Sequence, residues 1–167
     1  MNIDNIKETF KKYVDEFDCE IKGIKLKYSH SLRVMEISKN IAKSIGMNDS
    51  DKETAILVGL LHDYGRFPQL VNFHTYKDSL SIDHADLAVE LLFEKGQIKN
   101  FTEDISKYDE IYDAIKYHNK YSVPDTVSKH NREMCKLIRD ADKLDILYLA
   151  SIDRIRNDEK RGYQYQS

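Results

Sequence analysis

The sequence predicts an all-α protein, and three observations support this fold class. The 167 residues include only six glycines and two prolines, which is too little punctuation for an all-β chain. Apolar residues recur at helical steps of three and four along most of the chain. The hydrophobic share of 41% and the charged share of 33% are typical of a soluble globular protein. We therefore expect a single helical domain over residues 1–167.

The predicted helices follow one another closely and are joined by short loops. They cover approximately residues 3–17, 27–45, 49–62, 84–95, 108–118 and 132–151. Residues 1–18 form an amphipathic accessory helix that could cover the core or contact a partner. Gly46 ends the second helix, and either Asn48 or Asp49 caps the third.

The remaining segments are predicted to be less regular. Residues 19–25 connect the first two helices, and residues 66–81 suggest a short helix followed by a loop over a site. Asp83 is expected to cap the helix that starts at residue 84. Residues 97–107 are polar and predict a loop, and residues 156–167 predict a polar, frayed tail.

Four histidines lie on or beside the apolar faces of four different predicted helices. His30 opens a stripe that continues through Val34 and Ile37. The pair His62–Asp63 follows an almost unbroken apolar stretch, so the chain carries an imidazole and a carboxylate to the edge of its core. The other two histidines of the group are His84 and His118, and Asp142, four residues after Ile138, lies on the edge of the apolar face of the last helix. His74 and His130 are expected at exposed or loop positions.

This combination of residue types predicts a metal site. Burying imidazoles and carboxylates is costly unless something binds them, and a metal ion does so well. Helical bundles build such sites from inward side chains on facing helices. Nitrogen and oxygen ligands suit Fe, Mn, Ni, Co or Zn, and Mg is a further candidate. Cys19 and Cys135 are not at ligand-like spacings, and two cysteines are too few for a disulfide framework.

The order of these residues resembles the HD-domain superfamily of metal-dependent phosphohydrolases. The resemblance covers roughly residues 25–150 and is strongest in four segments. These read LLHDYGR (60–66), DHA (83–85), HN (118–119) and RDADKLD (139–145). The set is similar to a bacterial subgroup of small predicted hydrolases. It implies an orthogonal helical bundle with the metal site in its core.

The resemblance also implies a ligand set and a mechanism. His30, His62, Asp63 and Asp142 would hold a first divalent metal. His84 and His118 would hold a second, with Asp63 as bridge. Metal-activated hydroxide would then attack a phosphate ester, a phosphomonoester being favoured over a diester.

Three residues are candidates for a catalytic role in that mechanism. Asp63 could serve as a base as well as a bridge. Arg66 could contact a phosphate oxygen or form a surface ion pair. Lys143 could contact phosphate, orient Asp142 or remain a lysine of the helix surface.

Charge and composition limit the classes of partner that this protein is expected to bind. The formal net charge is −3 and no basic stripe is visible, which argues against a nucleic-acid polymer. No apolar run approaches membrane-spanning length, and the N-terminus lacks the apolar core of a signal peptide. We expect a cytoplasmic protein whose partner is a small phosphorylated molecule, nucleotide-like in character. The oligomeric state is left open.

Two HD subgroups are disfavoured by particular residues. Cyclic-di-GMP phosphodiesterases of this superfamily carry a paired histidine and a Gly-Tyr-Pro turn. Here His118 is followed by Asn119, and Gly162–Tyr163 is followed by Gln164. The longer multi-domain architecture of the alarmone hydrolases is also not expected for this sequence.

Three alternative functions stay open at this point. Some proteins of the HD fold use a di-iron pair for oxygen chemistry, and histidine-rich ligation fits iron. A metal- or nucleotide-binding regulatory module without catalysis is the second alternative. A plain helical interaction domain that binds no metal is the third.

Overall fold

The structure, a computed structural model, describes the backbone of residues 1–18 and 20–164. It also describes their side chains, except those of Lys22 and residues 153–164. Seven α-helices and no strand lie within this part of the chain, so the all-α prediction is confirmed. The helices are α1 (Ile3–Val14), α2 (Lys22–Ser44), α3 (Asp49–Leu61), α4 (Arg66–Phe73), α5 (His84–Val89), α6 (Tyr108–Tyr117) and α7 (Lys129–Gln164). Short 3₁₀ or π-helical turns cover Asp78–Leu80, Glu90–Glu94, Gln97–Asn100 and Ile105–Lys107.

Helix α3 is the centre of the bundle. Each residue from Thr54 to Leu61 is buried, as expected for a helix whose sequence is apolar on nearly every side. Helix α2 packs closely along α3, since a methyl group added at Gly59 would lie 2.8 Å from the Cα of Met35. Helices α6 and α7 also pack against α3. The C-terminal end of α3 is thereby fixed inside the bundle.

Helix α1 packs on the core, one of the two outcomes that its amphipathic sequence allowed. Phe10 is fully buried. The ring of Tyr13 stacks on that of Tyr64 with a centroid separation of 3.7 Å. The Tyr13 hydroxyl also donates a 2.9 Å hydrogen bond to the carbonyl oxygen of Tyr64. These contacts secure the turn that follows α3.

Short polar side chains cap two helices as predicted. Asn48 accepts a 2.9 Å hydrogen bond from the amide of Asp51 at the start of α3. Asp83 accepts from the amides of Ala85 and Asp86 at the start of α5. Each cap supplies an acceptor to backbone amides that have no partner within the helix.

The predicted start of the second helix was wrong. Helix α2 begins at Lys22 instead of about residue 27, and Gly23 lies in its first turn. A side chain at Gly23 would collide with Leu70 and with the hydroxyl of Tyr76. This glycine therefore serves close packing rather than a break between helices.

The last helix is longer than predicted. Helix α7 begins at Lys129 and continues to Gln164, past the expected end at Ser151 and through most of the expected tail. It contains no proline, and its first glycine is Gly162, so nothing in the sequence stops it earlier. Cys19 and residues 165–167 lie outside the described residues. Among those described, none of the helices combines the length and apolar character needed to cross a membrane.

Alanine substitutions at two glycines separate the stability cost of disturbed close packing from the cost of an unfavourable backbone conformation. Gly65 has an ordinary φ of −72°, but an added methyl group would overlap the carbonyl oxygen of His84 and approach the amide of Ala88. We expect Gly65→Ala to lower the free energy of unfolding by about 3 kcal/mol, because backbone atoms must move. Urea unfolding of the purified variant measures this loss.

The control is Gly46→Ala. Gly46 has a φ of +72° and nothing within 4 Å of an added methyl group. The free energy of unfolding of Gly46→Ala should therefore fall by about 1 kcal/mol, because only the backbone conformation is unfavourable for alanine. Equal losses in the two variants would contradict the close approach of α5 to the turn after α3.

Candidate metal centre

The six side chains predicted to bind metal converge from five helices or their ends. His30 comes from α2, and His62–Asp63 from the end of α3. His84 is the first residue of α5, His118 follows the last residue of α6, and Asp142 comes from α7. All are buried except Asp142, whose side chain is 23% exposed. The six residues are thus brought to one place, although they span 113 positions of sequence.

The first group of ligand atoms contains two imidazoles and two carboxylates. His30 Nε2 lies 3.2 Å from His62 Nε2 and 3.0 Å from Asp142 Oδ1. Asp63 Oδ2 lies 3.4 Å from His30 Nε2 and 3.5 Å from His62 Nε2. These four atoms surround one small volume.

The second group contains two imidazoles and the other oxygen of Asp63. His84 Nε2 lies 3.0 Å from His118 Nε2. Asp63 Oδ1 lies 3.4 Å from His84 Nε2 and 4.0 Å from His118 Nε2. The carboxylate of Asp63 therefore stands between the two groups, with one oxygen toward each.

Each of the four imidazoles is oriented by an acceptor on its other nitrogen. The acceptors for Nδ1 are Asp145 Oδ2 for His30 (2.7 Å), Gly59 O for His62 (2.9 Å), Asp78 Oδ2 for His84 (2.7 Å) and Ile115 O for His118 (2.7 Å). A carbonyl or carboxylate oxygen can only accept, so Nδ1 carries the proton. In the neutral ring Nε2 then presents a lone pair to the centre.

This donor set fits divalent metal ions. In each group two Nε2 lone pairs face one another at 3.0–3.2 Å, an arrangement that is repulsive unless a cation or an added proton lies between them. Imidazole nitrogen and carboxylate oxygen are common ligands of zinc, iron, manganese and nickel. The described residues His30, His62, Asp63, His84 and His118 can form two metal-binding groups that share Asp63.

Electrostatics differ between the two groups. Burial opposes a charge on His62, but the carboxylates of Asp63 and Asp142 outweigh it and raise the pKa of His62 to about 10. Burial together with neighbouring imidazoles lowers the pKa of His118 to about 3. The pKa of Asp63 lies well below its usual value in spite of burial, because Lys27 and His62 face it. Asp63 is thus held as a carboxylate at the shared position.

Two cationic side chains contact Asp63. Arg66 Nε lies 3.5 Å from Asp63 Oδ1, and the guanidinium donates hydrogen bonds to Asp78 and to the carbonyl oxygen of Tyr76. Lys27 Nζ donates to Asp63 Oδ2 at 2.5 Å. Lys27 was not predicted to lie at the centre, although it comes one helical turn before His30 and therefore shares its helix face.

Of the three roles expected for Lys143, the structure fits a lysine of the helix surface. Lys143 is exposed, and no hydrogen bond or ion pair joins it to the described residues of the centre. A helix turns about 100° per residue, so the residue after Asp142 points away from the group that Asp142 joins.

Sequence reasoning also missed two residues that orient the ligands. Asp145 accepts hydrogen bonds from both Arg33 and His30. Its spacing of three residues after Asp142 was a usable signal, because both then share one helix face. Asp78 lies in an irregular segment, and no periodicity indicates that it contacts His84.

Comparison with known protein families agrees with this geometry. The family model described as HD domain matches residues 28–148, which include the six predicted ligands and both orienting carboxylates. No curated protein and no solved structure matches the chain. Because the family model covers well over half of the sequence, the chain belongs to the HD-domain family.

Proposed function

We propose that this protein is a metal-dependent phosphohydrolase acting on a small phosphorylated molecule, either a nucleotide or another phosphomonoester. HD domains are commonly metal-dependent hydrolases. The observation that carries the proposal is the position of Asp63. Its two oxygens face two imidazole pairs whose Nε2 atoms are 3.2 Å and 3.0 Å apart.

Within the proposal the two groups hold one divalent ion each. His30, His62 and Asp142 would serve the first ion, His84 and His118 the second, and Asp63 both. Divalent cations in such a pair supply Lewis-acid chemistry, because they polarise phosphoryl oxygens and make water a stronger acid. Asp145 and Asp78 keep the imidazoles turned so that Nε2 faces inward.

Substrate binding is assigned to donors on one side of Asp63. Arg66 Nε and the Tyr76 hydroxyl are buried, and neither makes a hydrogen bond within the described residues. Arg66 and Lys27 lie beside the Tyr76 ring, at 5.8 Å and 5.7 Å from its centroid. Two cations that contact Asp63, together with the unpaired hydroxyl of the ring beside them, suit the oxygens of a phosphate group.

The direct test is turnover of a phosphomonoester panel with Mn²⁺, Co²⁺, Ni²⁺ or Mg²⁺. We expect at least one pair of metal and substrate to be hydrolysed, with phosphate release as the measurement. His62→Ala removes a ligand from the first group, so we expect kcat/KM to fall roughly a thousandfold or more. Metal content per chain of the same untagged preparations is a second readout, and it should fall in His62→Ala.

The matched control is His74→Asn, which removes an exposed histidine outside the centre. It should retain both activity and metal. Equal turnover in wild type and His62→Ala would remove the hydrolase proposal. Consumption of O₂ by an iron-loaded sample, without phosphate release, would favour the oxygenase alternative instead.

A second prediction concerns ligand orientation. Asp145→Asn leaves the side chain nearly the same size but replaces the charged acceptor of His30 Nδ1–H. We expect metal affinity to fall about 10–100-fold, since second-layer acceptors fix ring orientation and basicity. Competition with a chelator measures it. Asp125→Asn, at a fully exposed carboxylate, is the control and should be unchanged; unchanged affinity in Asp145→Asn would contradict the orienting role.

A third prediction concerns the Tyr76 hydroxyl. Tyr76→Phe removes a buried donor that has no hydrogen-bond partner, so the fold should be at least as stable as wild type. If the hydroxyl binds phosphate, kcat/KM should fall about tenfold or more, the effect of one hydrogen bond to a charged group. Steady-state kinetics and urea unfolding together measure the two effects.

The control for this variant is Tyr108→Phe, which should lose stability but keep activity. The Tyr108 hydroxyl donates to the carbonyl oxygen of Thr102 at 3.2 Å, away from the proposed substrate donors. Tyr108→Phe should lose up to about 1 kcal/mol of stability and no activity. Full activity in Tyr76→Phe would exclude its hydroxyl from substrate binding.

A further inference from the structure

A second cluster of ligand-type side chains lies at the opposite end of α3 from the metal centre. Asp51 is in the first turn of α3, Glu110 in the first turn of α6, and His130 near the start of α7. Along α3, Asp51 is eleven residues from His62, which corresponds to about 16 Å. The cluster is therefore separate from the centre described above.

The distances within this cluster match those between ligands of one metal ion. His130 Nε2 lies 3.2 Å from Glu110 Oε1 and 3.6 Å from Asp51 Oδ1. Two ligands of a tetrahedral zinc ion, with bonds near 2.0–2.1 Å, are about 3.3 Å apart. One atom from each of the three side chains lies within 4.8 Å of the others.

An unsatisfied atom points into the cluster. Glu110 is only 8% exposed, and its Oε1 atom is buried without any hydrogen-bond partner. His130 Nε2 is near enough, but it is not aligned for a hydrogen bond with that oxygen. A buried carboxylate oxygen without a hydrogen bond is costly, and a coordinated cation removes that cost.

The neighbouring groups leave this cluster with an excess of negative charge. Asp51 Oδ2 accepts from the side-chain amide of Asn48, which turns Oδ1 toward His130. Lys107 acts on Glu110 at longer range but donates its hydrogen bond to Glu53 at 2.8 Å. Two carboxylates thus face one imidazole, and the nearby ammonium is engaged elsewhere.

We propose that Asp51, Glu110 and His130 bind a divalent transition-metal ion of the zinc class. Three nitrogen and oxygen ligands from the protein leave a fourth position for water, on the side where the His130 side chain is 60% exposed. Such an ion joins the starts of α3, α6 and α7. These three helices also carry His62, His118 and Asp142, so the ion braces the elements that support the metal centre.

The experiment measures zinc binding by the full-length, chelator-stripped protein, with zinc supplied at a concentration near stoichiometric with the protein. Bound zinc per chain is measured after equilibrium dialysis for wild type, His130→Ala and Glu110→Gln. Each variant should bind one equivalent fewer than wild type. Glu110→Gln keeps the shape of the side chain and removes a buried charge, so it should fold without metal; circular dichroism checks this.

The matched control is His74→Asn, which should bind as much zinc as wild type. If either His130→Ala or Glu110→Gln also binds as much as wild type, the site is overturned. This outcome is independent of the proposed hydrolase activity, because the variants report one equivalent of zinc at the end of α3 opposite the metal centre. Loss of hydrolysis in His62→Ala has no bearing on that equivalent.

Discussion

The structure of the centre depends on one buried carboxylate, that of Asp63. It is 2% exposed, and burying a charged group of this kind is unfavourable unless partners compensate it. Its partners come from many elements: Lys27 of α2, His62 of α3, Arg66 of α4 and His84 of α5. A bundle that satisfies this group must bring the ends of several helices to one point. The same convergence places one imidazole pair on each side of it.

The orientation of the imidazoles shows a division of labour between backbone and side chains. His62 and His118 lie at helix ends, and each donates to the carbonyl oxygen three residues earlier, Gly59 or Ile115. His30 and His84 are held by Asp145 and Asp78, which come from other elements of the chain. Half of the centre is therefore fixed by local helix geometry, while the other half requires tertiary contacts.

The difference between local helix geometry and tertiary contacts explains which features of the centre could be predicted from the sequence. Steps of three and four residues placed His30 on an inner helix face and Asp142 on the edge of one, and short polar residues marked the caps at Asn48 and Asp83. Such patterns are local, so they can be read without knowing the fold. The family resemblance then supplied the pairing of distant residues, which no local pattern contains.

The errors have the opposite origin. The contact between Asp78 and His84 depends on the path of an irregular segment, and the early start of α2 depends on how Gly23 fits against Tyr76. The long α7 lacked a stop signal, so its predicted end at Ser151 was too early. In the first two cases tertiary packing decided the outcome, and in the third a strictly helical interpretation would have been enough.

The segment after α3 shows how one short stretch serves several constraints at once. Asp63 faces both imidazole pairs, whereas Tyr64 points to the other side and stacks on Tyr13 of α1. Gly65 allows the backbone to approach that of His84, which brings the second imidazole pair within reach of Asp63. Arg66 then turns back and joins Asp63 to Asp78, the acceptor of His84.

Each residue of this stretch is therefore fixed by a different neighbour. A larger residue at 65 would separate the two halves of the centre, and loss of the Tyr64 contact would release the turn from α1. The dyad His62–Asp63 supplies two of the candidate ligands, but the two residues that follow it determine whether both oxygens of Asp63 face the imidazole pairs. The chemistry of the centre thus rests on the packing of its connecting turn as much as on the ligands themselves.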